Sequence, residues 1–319
     1  MPIKIPSRLP ARAVLEEEGV PIIKEEDAQR QDIRPLRIAI LNLMPEKIKT
    51  ETQLARVLGA TPLQVEMTLL ALETHKPKTT PEQHLLDFYH PWGTVKDQKF
   101  DGLIVTGAPI ELLPFEEVRY WDELCAIFDW SRDHVHGLFN LCWGAQAALY
   151  HFYGIPKYQM PAKAFGVFSH SVVNPRSLLM RGLNDELPVP VSRYTENHRQ
   201  DFESHDHLEV LLESADTGIS LVYDHALNHV HMFNHLEYDS DTLGSEYRRD
   251  VEKGDAIGVP TNYFPDDQPD QEPVNCWRSN GHILYGNWLN LLYQTTPFDM
   301  DRIGLNGQRD ISPCEPAAE

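Results

Sequence analysis

The sequence contains few cysteines and no long apolar segment. Its four cysteines, Cys125, Cys142, Cys276 and Cys314, are far apart and include no C-x-x-C pair. We therefore expect free thiols in a reducing compartment rather than a disulfide framework. The N-terminus lacks the apolar run of a secretory signal peptide, and nowhere do about 18 apolar residues follow one another. The sequence thus predicts a cytoplasmic protein without a membrane span.

Basic residues are also scarce. The chain has 28 Lys and Arg against 48 Asp and Glu, a formal net charge of −20 at pH 7. This charge repels nucleic-acid phosphates and anionic membrane surfaces, so we expect neither as a partner. An anionic small ligand would need a local basic pocket. No metal centre is predicted, because His229 and His231 are close together but no further ligand stands at a recognisable spacing.

The length of 319 residues allows one large domain or two smaller ones, and we favour one. Residues 1–35 are polar and carry acidic stretches at Glu16–Glu18 and Glu25–Asp27, so they predict an irregular N-terminal arm that is either solvated or in contact with a partner. The main domain is expected over residues 36–297 and a C-terminal tail over residues 298–319.

Strand and helix patterns alternate through the first half of the chain. Short apolar runs predict strands, and amphipathic runs predict helices. The predicted elements are a strand at Leu36–Met44, a helix opening at Thr50, strands at Leu63–Leu72 and Phe100–Gly107, a helix opening at Pro114, a strand at Val135–Cys142 and a helix at Gly144–Tyr153. This order predicts an α/β fold, a mainly parallel sheet with helices on both faces.

The second half of the chain shows further strand candidates. They are Leu208–Leu212, Ile219–Tyr223 and His229–Asn234, followed by a helix over residues 239–253. Residues 259–273 are rich in Pro and Asp and predict a loop, whereas residues 281–294 fit either an amphipathic helix or an apolar strand.

Cys142 stands where an apolar strand meets a helix of small residues, in the string Phe139-Asn-Leu-Cys-Trp-Gly-Ala-Gln146. This is the sequence pattern of a nucleophile elbow, in which small neighbours allow a tight turn to project one side chain. The helix that begins there points its positive end at the sulfur, which favours the thiolate. The alternative is an inert cysteine buried in the core.

His235 and Glu237 end an apolar strand in the string His231-Met-Phe-Asn-His-Leu-Glu237. In an extended segment, a spacing of two residues places both side chains on the same side. A carboxylate that holds an imidazole is the arrangement of a catalytic triad. With 15 His in the chain, a His-x-Glu string also arises by chance, and His231 is interpreted as a packed or surface residue.

The chain resembles the homoserine O-acyltransferases of the class I glutamine amidotransferase-like superfamily. The strings that carry the resemblance are Gln31-Asp-Ile-Arg-Pro-Leu-Arg-Ile38, Leu41-Asn-Leu-Met-Pro45 with Lys47, Thr106-Gly-Ala-Pro109, Pro114-Phe-Glu-Glu117, Tyr120-Trp121, Cys142-Trp-Gly-Ala-Gln146, Lys163-Ala-Phe-Gly-Val167 and Asn262-Tyr-Phe-Pro265. Amidotransferases usually have Gly where this chain has Asn140, and Gly-His-Pro-Glu where it has Asn234-His-Leu-Glu237.

The resemblance implies a set of roles. Cys142 would take an acyl group from a coenzyme A thioester, His235 would pass it to homoserine, and Glu237 would orient His235. Homoserine would be held by Lys163, Ser192 and Arg249; without the resemblance, Lys163 and Arg249 read as ordinary surface charges. Lys47 is a further candidate, and the backbone N–H groups after Gly107 and at Trp143 are candidates for binding the oxyanion.

The resemblance also addresses the acyl donor. In the enzymes that this chain resembles, the position of Glu111 separates acetyl from succinyl users, with Glu going with acetyl. A carboxylate there would repel the free carboxylate of a succinyl group; the alternative is that Glu111 points to solvent. We therefore expect a homoserine O-acetyltransferase of methionine biosynthesis, with acetyl-CoA as co-substrate and no permanently bound cofactor.

Three other functions stay open at this stage. They are a homoserine O-succinyltransferase, a glutaminase that uses the same Cys142, His235 and Glu237, and a non-catalytic binding protein that retains the fold. The expected partners are the small molecules homoserine and acyl-CoA, and a homodimer is compatible with the sequence.

Overall fold

The computed structural model describes residues 3–6, 8–18, 20, 22–23, 34–75, 77 and 79–304. The expectations for Glu25–Asp27, for Gln31–Ile33 of the first family string, for Cys314 and for the tail beyond residue 304 lie outside these residues. Within the described part of the chain, no helix combines the length and the apolarity that a membrane span requires.

Twelve strands form one mixed sheet among the described residues. They are β1 (Ile3–Lys4), β2 (Ile22–Ile23), β3 (Leu36–Leu41), β4 (Val65–Ala71), β5 (Tyr89–Pro91), β6 (Phe100–Val105), β7 (Val135–Leu141), β8 (Tyr158–Val172), β9 (Glu186–Glu196), β10 (Leu208–Ser214), β11 (Gly218–Asp224) and β12 (His229–Met232). Their order is β2-β1-β4-β3-β6-β7-β12-β11-β10-β8-β9, and β5 also pairs with β4.

The pairing divides this sheet at β12. Every pair from β2 to β12 is parallel, and every pair from β12 to β9 is antiparallel. We call these the parallel half and the antiparallel half. Because β12 belongs to both, the residues that follow it lie where the two halves meet.

Helices cover both faces of the parallel half. The helices are α1 (Ala11–Glu17), α2 (Lys47–Leu58), α3 (Glu82–Phe88), α4 (Trp121–His134), α5 (Trp143–Tyr153), α6 (Thr242–Lys253) and α7 (Arg278–Thr295). Neighbouring residues of β7 feed two separate cores: Phe139 packs in the core that includes α1, α2 and α7, and Leu138 packs in the core that includes α4 and α5. Continuous apolar runs are expected of strands buried on both faces.

The α/β class and the mainly parallel sheet predicted from the sequence are confirmed, and residues 281–294 belong to a helix. Two predicted helix starts are wrong. Helix α2 begins at Lys47 rather than Thr50, and the Thr50 hydroxyl donates back to the Glu46 carbonyl instead of capping the helix. The run after Pro114 forms one turn of 3₁₀ helix, and α4 begins only at Trp121.

The described residues of the lead-in, 3–6, 8–18, 20 and 22–23, include two short strands and a helix where the sequence predicted an irregular arm. Ile3 and Lys4 pair with β4, and α1 buries Ala11 and Leu15 in the same core as α2. The prediction of an irregular arm rested on the acidic residues of this segment. The apolar residues Ala11 and Leu15 of α1 instead pack into the core. The domain bounds of 36–297 and 298–319 remain a prediction.

Candidate active site

Cys142 lies in the turn between β7 and α5. Its φ of 50° is in the left-handed region that few non-glycine residues adopt. The Cys142 N–H donates to the Met232 carbonyl of β12 over 2.7 Å, which fixes the turn to the neighbouring strand. This strained strand-to-helix turn has the form of a nucleophile elbow, and Cys142 is partly accessible rather than sealed in the core.

Two glycines allow the turn to pack against the end of β6. A Cβ on Gly144 would lie 2.7 Å from the Thr106 carbonyl oxygen, and a Cβ on Gly107 would lie 3.0 Å from the Cys142 Cβ. Gly144 has no room for a side chain, and a side chain at Gly107 would press against Cys142. The backbone after Gly107 therefore runs beside the sulfur, and the Trp143 N–H stands in the first turn of α5, where amides have no intrahelical acceptor.

His235 and Glu237 lie in a turn that follows β12. The strand ends at Met232, so the predicted extended segment to Asn234 is too long, and residues 235–238 turn instead. The predicted contact nevertheless forms, because His235 Nδ1 lies 2.7 Å from Glu237 Oε1 and both side chains are buried. The His235 N–H donates to the Pro190 carbonyl of β9 over 3.0 Å.

A hydrogen bond joins the His235 imidazole to Cys142. Burial alone would lower the pKa of His235, but attraction by the Glu237 carboxylate and by Cys142 outweighs burial, and the pKa of His235 is raised well above 6.5. The protonated imidazole is therefore favoured between a carboxylate and a sulfur. Cys142, His235 and Glu237 thus form one contiguous chain of side chains.

Arg193, which the sequence analysis gave no role, is buried behind this chain with 2% of its surface exposed. Its guanidinium donates to Asn234 Oδ1 over 3.2 Å, to the Thr195 carbonyl over 2.8 Å and to the Thr217 carbonyl. Burial lowers the pKa of Arg193, and attraction by Cys142 opposes that effect. Its hydrogen-bond acceptors are neutral, and its positive charge is attracted by Cys142, Glu196 and Glu111. The sequence signal that could have identified Arg193 is a single charged residue within the apolar run of β9.

A cavity of about 430 Å³ opens onto Cys142. The predicted site residues that line it are Gly107, Glu111, Cys142, Lys163, Ser192, His235 and Arg249. These residues come from the loop after β6, the elbow, the β8–β9 hairpin, the turn after β12 and helix α6. The structure therefore brings together residues that are far apart in the sequence.

Lys163 lies at a register shift between β8 and β9 that falls between Gln159 and Ala164. Irregular pairing of this kind re-aims side chains. The Lys163 ammonium is 3.6 Å from Glu246 Oε2 and 3.6 Å from Asp250 Oδ2, and it lies over the Phe165 ring at 4.0 Å. It is thus a largely buried, paired cation with 10% of its side chain exposed, not an ordinary surface charge.

Ser192 and Arg249 contact the same two carboxylates. The Ser192 hydroxyl donates to Glu246 Oε2 over 2.6 Å, and the Arg249 Nε donates to Asp250 Oδ1 over 2.7 Å. The Arg249 side chain is half exposed, and Arg249 lines the cavity. Sequence reasoning missed Glu246 and Asp250, although their spacing of four residues places both carboxylates on one face of α6.

Glu111 lies against β9 rather than pointing to solvent. Its Oε2 accepts from the Tyr194 N–H over 2.9 Å and from the Thr195 hydroxyl over 3.3 Å. Burial raises the pKa of Glu111, and these two hydrogen bonds oppose the shift. A carboxylate therefore lines the cavity beside Cys142.

Lys47 does not reach this cavity. It lines a second cavity of about 1100 Å³, and its ammonium donates to the carbonyls of Asn42 and Met44. Burial lowers the pKa of Lys47 to about 8. Since Met44 and Pro45 line the Cys142 cavity, Lys47 fixes the loop that forms one wall of the site.

Asp224 lies beside His229 and His231. The spacing of these residues in the sequence did not reveal that Asp224 is their neighbour. One ligand atom from each residue lies within 4.8 Å of the others, and all three residues are buried. Zinc accepts such ligands. However, Asp224 Oδ1 accepts from the N–H groups of Ala226 and Leu227, and Oδ2 accepts from the Tyr153 hydroxyl. Because both of its oxygens are hydrogen-bonded within the protein, the Asp224 carboxylate stabilises the turn between β11 and β12.

With this geometry established, comparison with known proteins identifies the family. Residues 2–298 match the family described as homoserine O-succinyltransferase. The chain belongs to this family. The homoserine O-acyltransferase resemblance seen in the sequence strings is thereby confirmed.

Curated members of the family are similar over nearly their whole length. The homoserine O-acetyltransferases of Brucella canis and Brucella suis are each 54% identical over 304 residues, which cover 95% of this chain and 99% of the relative. The solved structure of a glutamine amidotransferase from Thermotoga maritima has a TM-score of 0.54 and 10% identity, and the match covers 82% of this chain and 100% of that chain. The structural likeness confirms the glutamine amidotransferase-like fold.

Proposed function

We propose that this chain is a homoserine O-acetyltransferase of methionine biosynthesis, which moves an acetyl group from acetyl-CoA to the homoserine hydroxyl through a thioester on Cys142. The observation that carries the proposal is the contiguous Cys142–His235–Glu237 chain at a cavity lined by Glu111. Membership of the homoserine O-succinyltransferase family and the 54%-identical acetyltransferases support it.

In the first half-reaction, Cys142 Sγ attacks the acetyl carbonyl carbon of acetyl-CoA. The raised pKa of His235 favours a protonated imidazole beside the sulfur, which supports the thiolate as the attacking form. A carbon–sulfur bond forms to Cys142, the bond to the coenzyme A sulfur breaks, and the departing thiolate takes the proton from His235. Exchange of one thiolate for another is nearly balanced in energy.

In the second half-reaction, the neutral His235 removes the proton from the homoserine hydroxyl. The oxygen attacks the thioester carbon, the bond to Cys142 breaks, and the thiolate returns beside a protonated imidazole. Glu237 holds the imidazole in the tautomer that this step requires and stabilises its positive charge.

Both half-reactions pass through a tetrahedral oxyanion. We assign its stabilisation to the backbone N–H groups after Gly107 and at Trp143, because the tight contact of Gly107 with Cys142 and the first turn of α5 support donors on both sides of the sulfur. Loss of one such donor costs about 2.7–4 kcal/mol in related chemistry.

Lys163, Ser192 and Arg249 are proposed to hold homoserine. The remaining donors of Arg249 suit a carboxylate, since a guanidinium binds it in a fixed bidentate geometry. Glu111 is proposed to select the acetyl donor, because its carboxylate lines the same cavity as Cys142 and would repel the free carboxylate of a succinyl group. The family description names succinyl transfer, whereas the 54%-identical relatives are acetyltransferases. Glu111 is the residue that we propose decides between the two donors.

The proposal is tested by intact mass after the protein is mixed with acetyl-CoA or with succinyl-CoA in the absence of homoserine. We expect a gain of one acetyl group on Cys142, abolished in Cys142→Ala and retained in Cys276→Ala, which removes an exposed thiol. A gain only from succinyl-CoA would assign the succinyl donor. No covalent gain, together with steady release of glutamate from glutamine, would instead assign a glutaminase.

The remaining expectations complete the proposal. The substrates are homoserine and acetyl-CoA, no cofactor is permanently bound, and the enzyme acts in the cytoplasm, where this biosynthetic step is expected. A homodimer stays a prediction.

A further inference from the structure

Tyr238 lies against the face of the His235 imidazole. The two ring centroids are 4.1 Å apart and the planes differ by 12°. Tyr238 is 7% exposed and lines the Cys142 cavity. Its backbone is fixed on both sides, because its N–H donates to the His235 carbonyl and its carbonyl accepts from the Trp277 indole over 2.9 Å.

The other end of Tyr238 reaches the residues proposed to hold homoserine. Its hydroxyl donates to Glu246 Oε1 over 3.1 Å. The second oxygen of that carboxylate accepts from Ser192 over 2.6 Å and lies 3.6 Å from the Lys163 ammonium. Burial, with the neighbouring carboxylates, raises the pKa of Tyr238 well above its usual value, so the hydroxyl stays protonated and continues to donate.

We propose that Tyr238 is a positioning residue whose ring holds the His235 imidazole in plane and whose hydroxyl fixes Glu246, so that the base and the bound acceptor keep one relative position. The inference rests on the proposed function and names a residue that the sequence analysis did not single out. Glu237 and Cys142 both hydrogen-bond to the His235 ring, but these two contacts leave the ring free to tilt about the axis that joins them. A stacked ring removes that freedom.

The two ends of Tyr238 predict separable effects. Tyr238→Phe keeps the ring and removes the hydroxyl. Since hydrogen bonds to charged groups are worth enough to change an equilibrium about tenfold, we expect the KM for homoserine to rise about tenfold. The rate at which acetyl-CoA acetylates Cys142 without homoserine is expected to change less than about twofold, because the stack remains.

Tyr238→Leu removes the ring as well. We expect acetylation of Cys142 and transfer to homoserine to slow together, each by about tenfold, because a stacked aromatic pair contributes on that scale. The rate of Cys142 alkylation by iodoacetamide should also move to a different pH dependence, since a tilted imidazole no longer supports the thiolate. A residue that only filled space would leave that pH dependence unchanged.

A matched control is Tyr150→Phe, which removes another tyrosine hydroxyl that donates to a glutamate, here Glu116, outside the cavity. It should leave both half-reactions and the alkylation profile as in the unmodified protein. The inference is overturned if Tyr238→Phe leaves the KM for homoserine unchanged, or if it slows acetylation as much as transfer.

Failure of the proposed function would look different. In that case the unmodified protein would take no acetyl group from acetyl-CoA. The pH dependence of Cys142 alkylation would still test whether the Tyr238 ring positions His235. If Tyr238→Leu left that pH dependence unchanged, this role of the ring would be refuted whatever the substrate.

Discussion

The parallel and antiparallel halves of the sheet contribute differently to the site. The parallel half supplies Cys142 and Gly107, both in turns at the carboxyl ends of buried strands. The antiparallel half supplies Lys163 and Ser192 from one hairpin, and the turn after β12 supplies His235 where the two halves meet. One half sets backbone geometry around the nucleophile, and the other sets the side chains around the acceptor.

This difference predicts which property of the protein a substitution in each half would change. A change in the parallel half should remove the chemistry itself, since the elbow depends on close backbone contacts. A change to a side chain that lies in or contacts the antiparallel half, β12 included, should alter the base, the donor choice or the stability, since those depend on side-chain charge and strand register. The following predictions test that division.

The largest effect is expected for Cys142→Ala, which removes the nucleophile of the parallel half. Loss of a nucleophile from a catalytic triad lowers kcat by about 10⁵-fold or more. The measurement is release of the coenzyme A thiol in the presence of homoserine, with circular dichroism to verify folding. Residual activity above about one per cent would contradict a covalent route, because the uncatalysed background lies far below it.

A smaller loss is expected for Glu237→Gln, at the junction of the two halves. The neutral amide removes the carboxylate that raises the pKa of His235, so that pKa should fall and the imidazolium should be lost at a lower pH. We expect kcat to drop about 10⁴-fold. Alkylation of Cys142 near pH 6 should also slow, because the thiolate loses its cation. Glu203→Gln, an exposed carboxylate, is the control and should match the unmodified enzyme.

The donor preference should change with Glu111→Gly, in the loop after β6, because the Glu111 side chain contacts β9 and lines the cavity. Removal of the carboxylate opens space and ends its repulsion of a succinyl group. We expect the ratio of kcat/KM for succinyl-CoA over acetyl-CoA to rise about 10- to 100-fold. Glu117→Gly, an exposed glutamate nearby, should leave the ratio unaltered. An unchanged ratio in the Glu111 variant would assign donor selection elsewhere.

The smallest effect concerns His231 of β12. Burial lowers its pKa to about 3 from an ordinary value of 6.5, so the unfolded chain binds the proton first and stability falls as pH drops below 6.5. Between pH 7 and pH 5 this costs about 2 kcal/mol of unfolding free energy. Over this pH range, the unfolding free energy of His231→Leu, measured in urea, should therefore fall by about 2 kcal/mol less than that of the unmodified protein. The exposed His90→Leu should follow the unmodified protein, and equal losses in all three would refute the argument.

The same division explains what the sequence could predict. The strands of the parallel half are continuous apolar runs, and the elbow at Cys142 is a local motif, so both follow from neighbouring residues. The hairpin of β8 and β9 was not predicted, because β8 mixes exposed and buried positions without a clear period and β9 contains Pro188 and Pro190, which argue against a strand.

The site was predicted unevenly for the same reason. The family resemblance brought in Lys163, Ser192 and Arg249, but the carboxylates that they contact became visible only when α6 was placed against the hairpin. Arg193 and Tyr238 have no motif of their own. Their importance lies in what the fold places beside them, namely Cys142 and His235.

The position of Pro190 also affects how this chain meets its neighbours. Strand β9 is the last in the sheet order, and the Pro190 carbonyl faces away from β8 because it accepts the His235 N–H. Within a strand, alternate residues present their amide nitrogens on the same side, so the ring nitrogens of Pro188 and Pro190 face outward and have no hydrogen to donate. Pro190 is buried and already accepts from His235, and at the partly exposed Pro188 an incoming strand would find a donor missing. The hairpin that supports the base therefore also disfavours aggregation by edge-to-edge strand pairing.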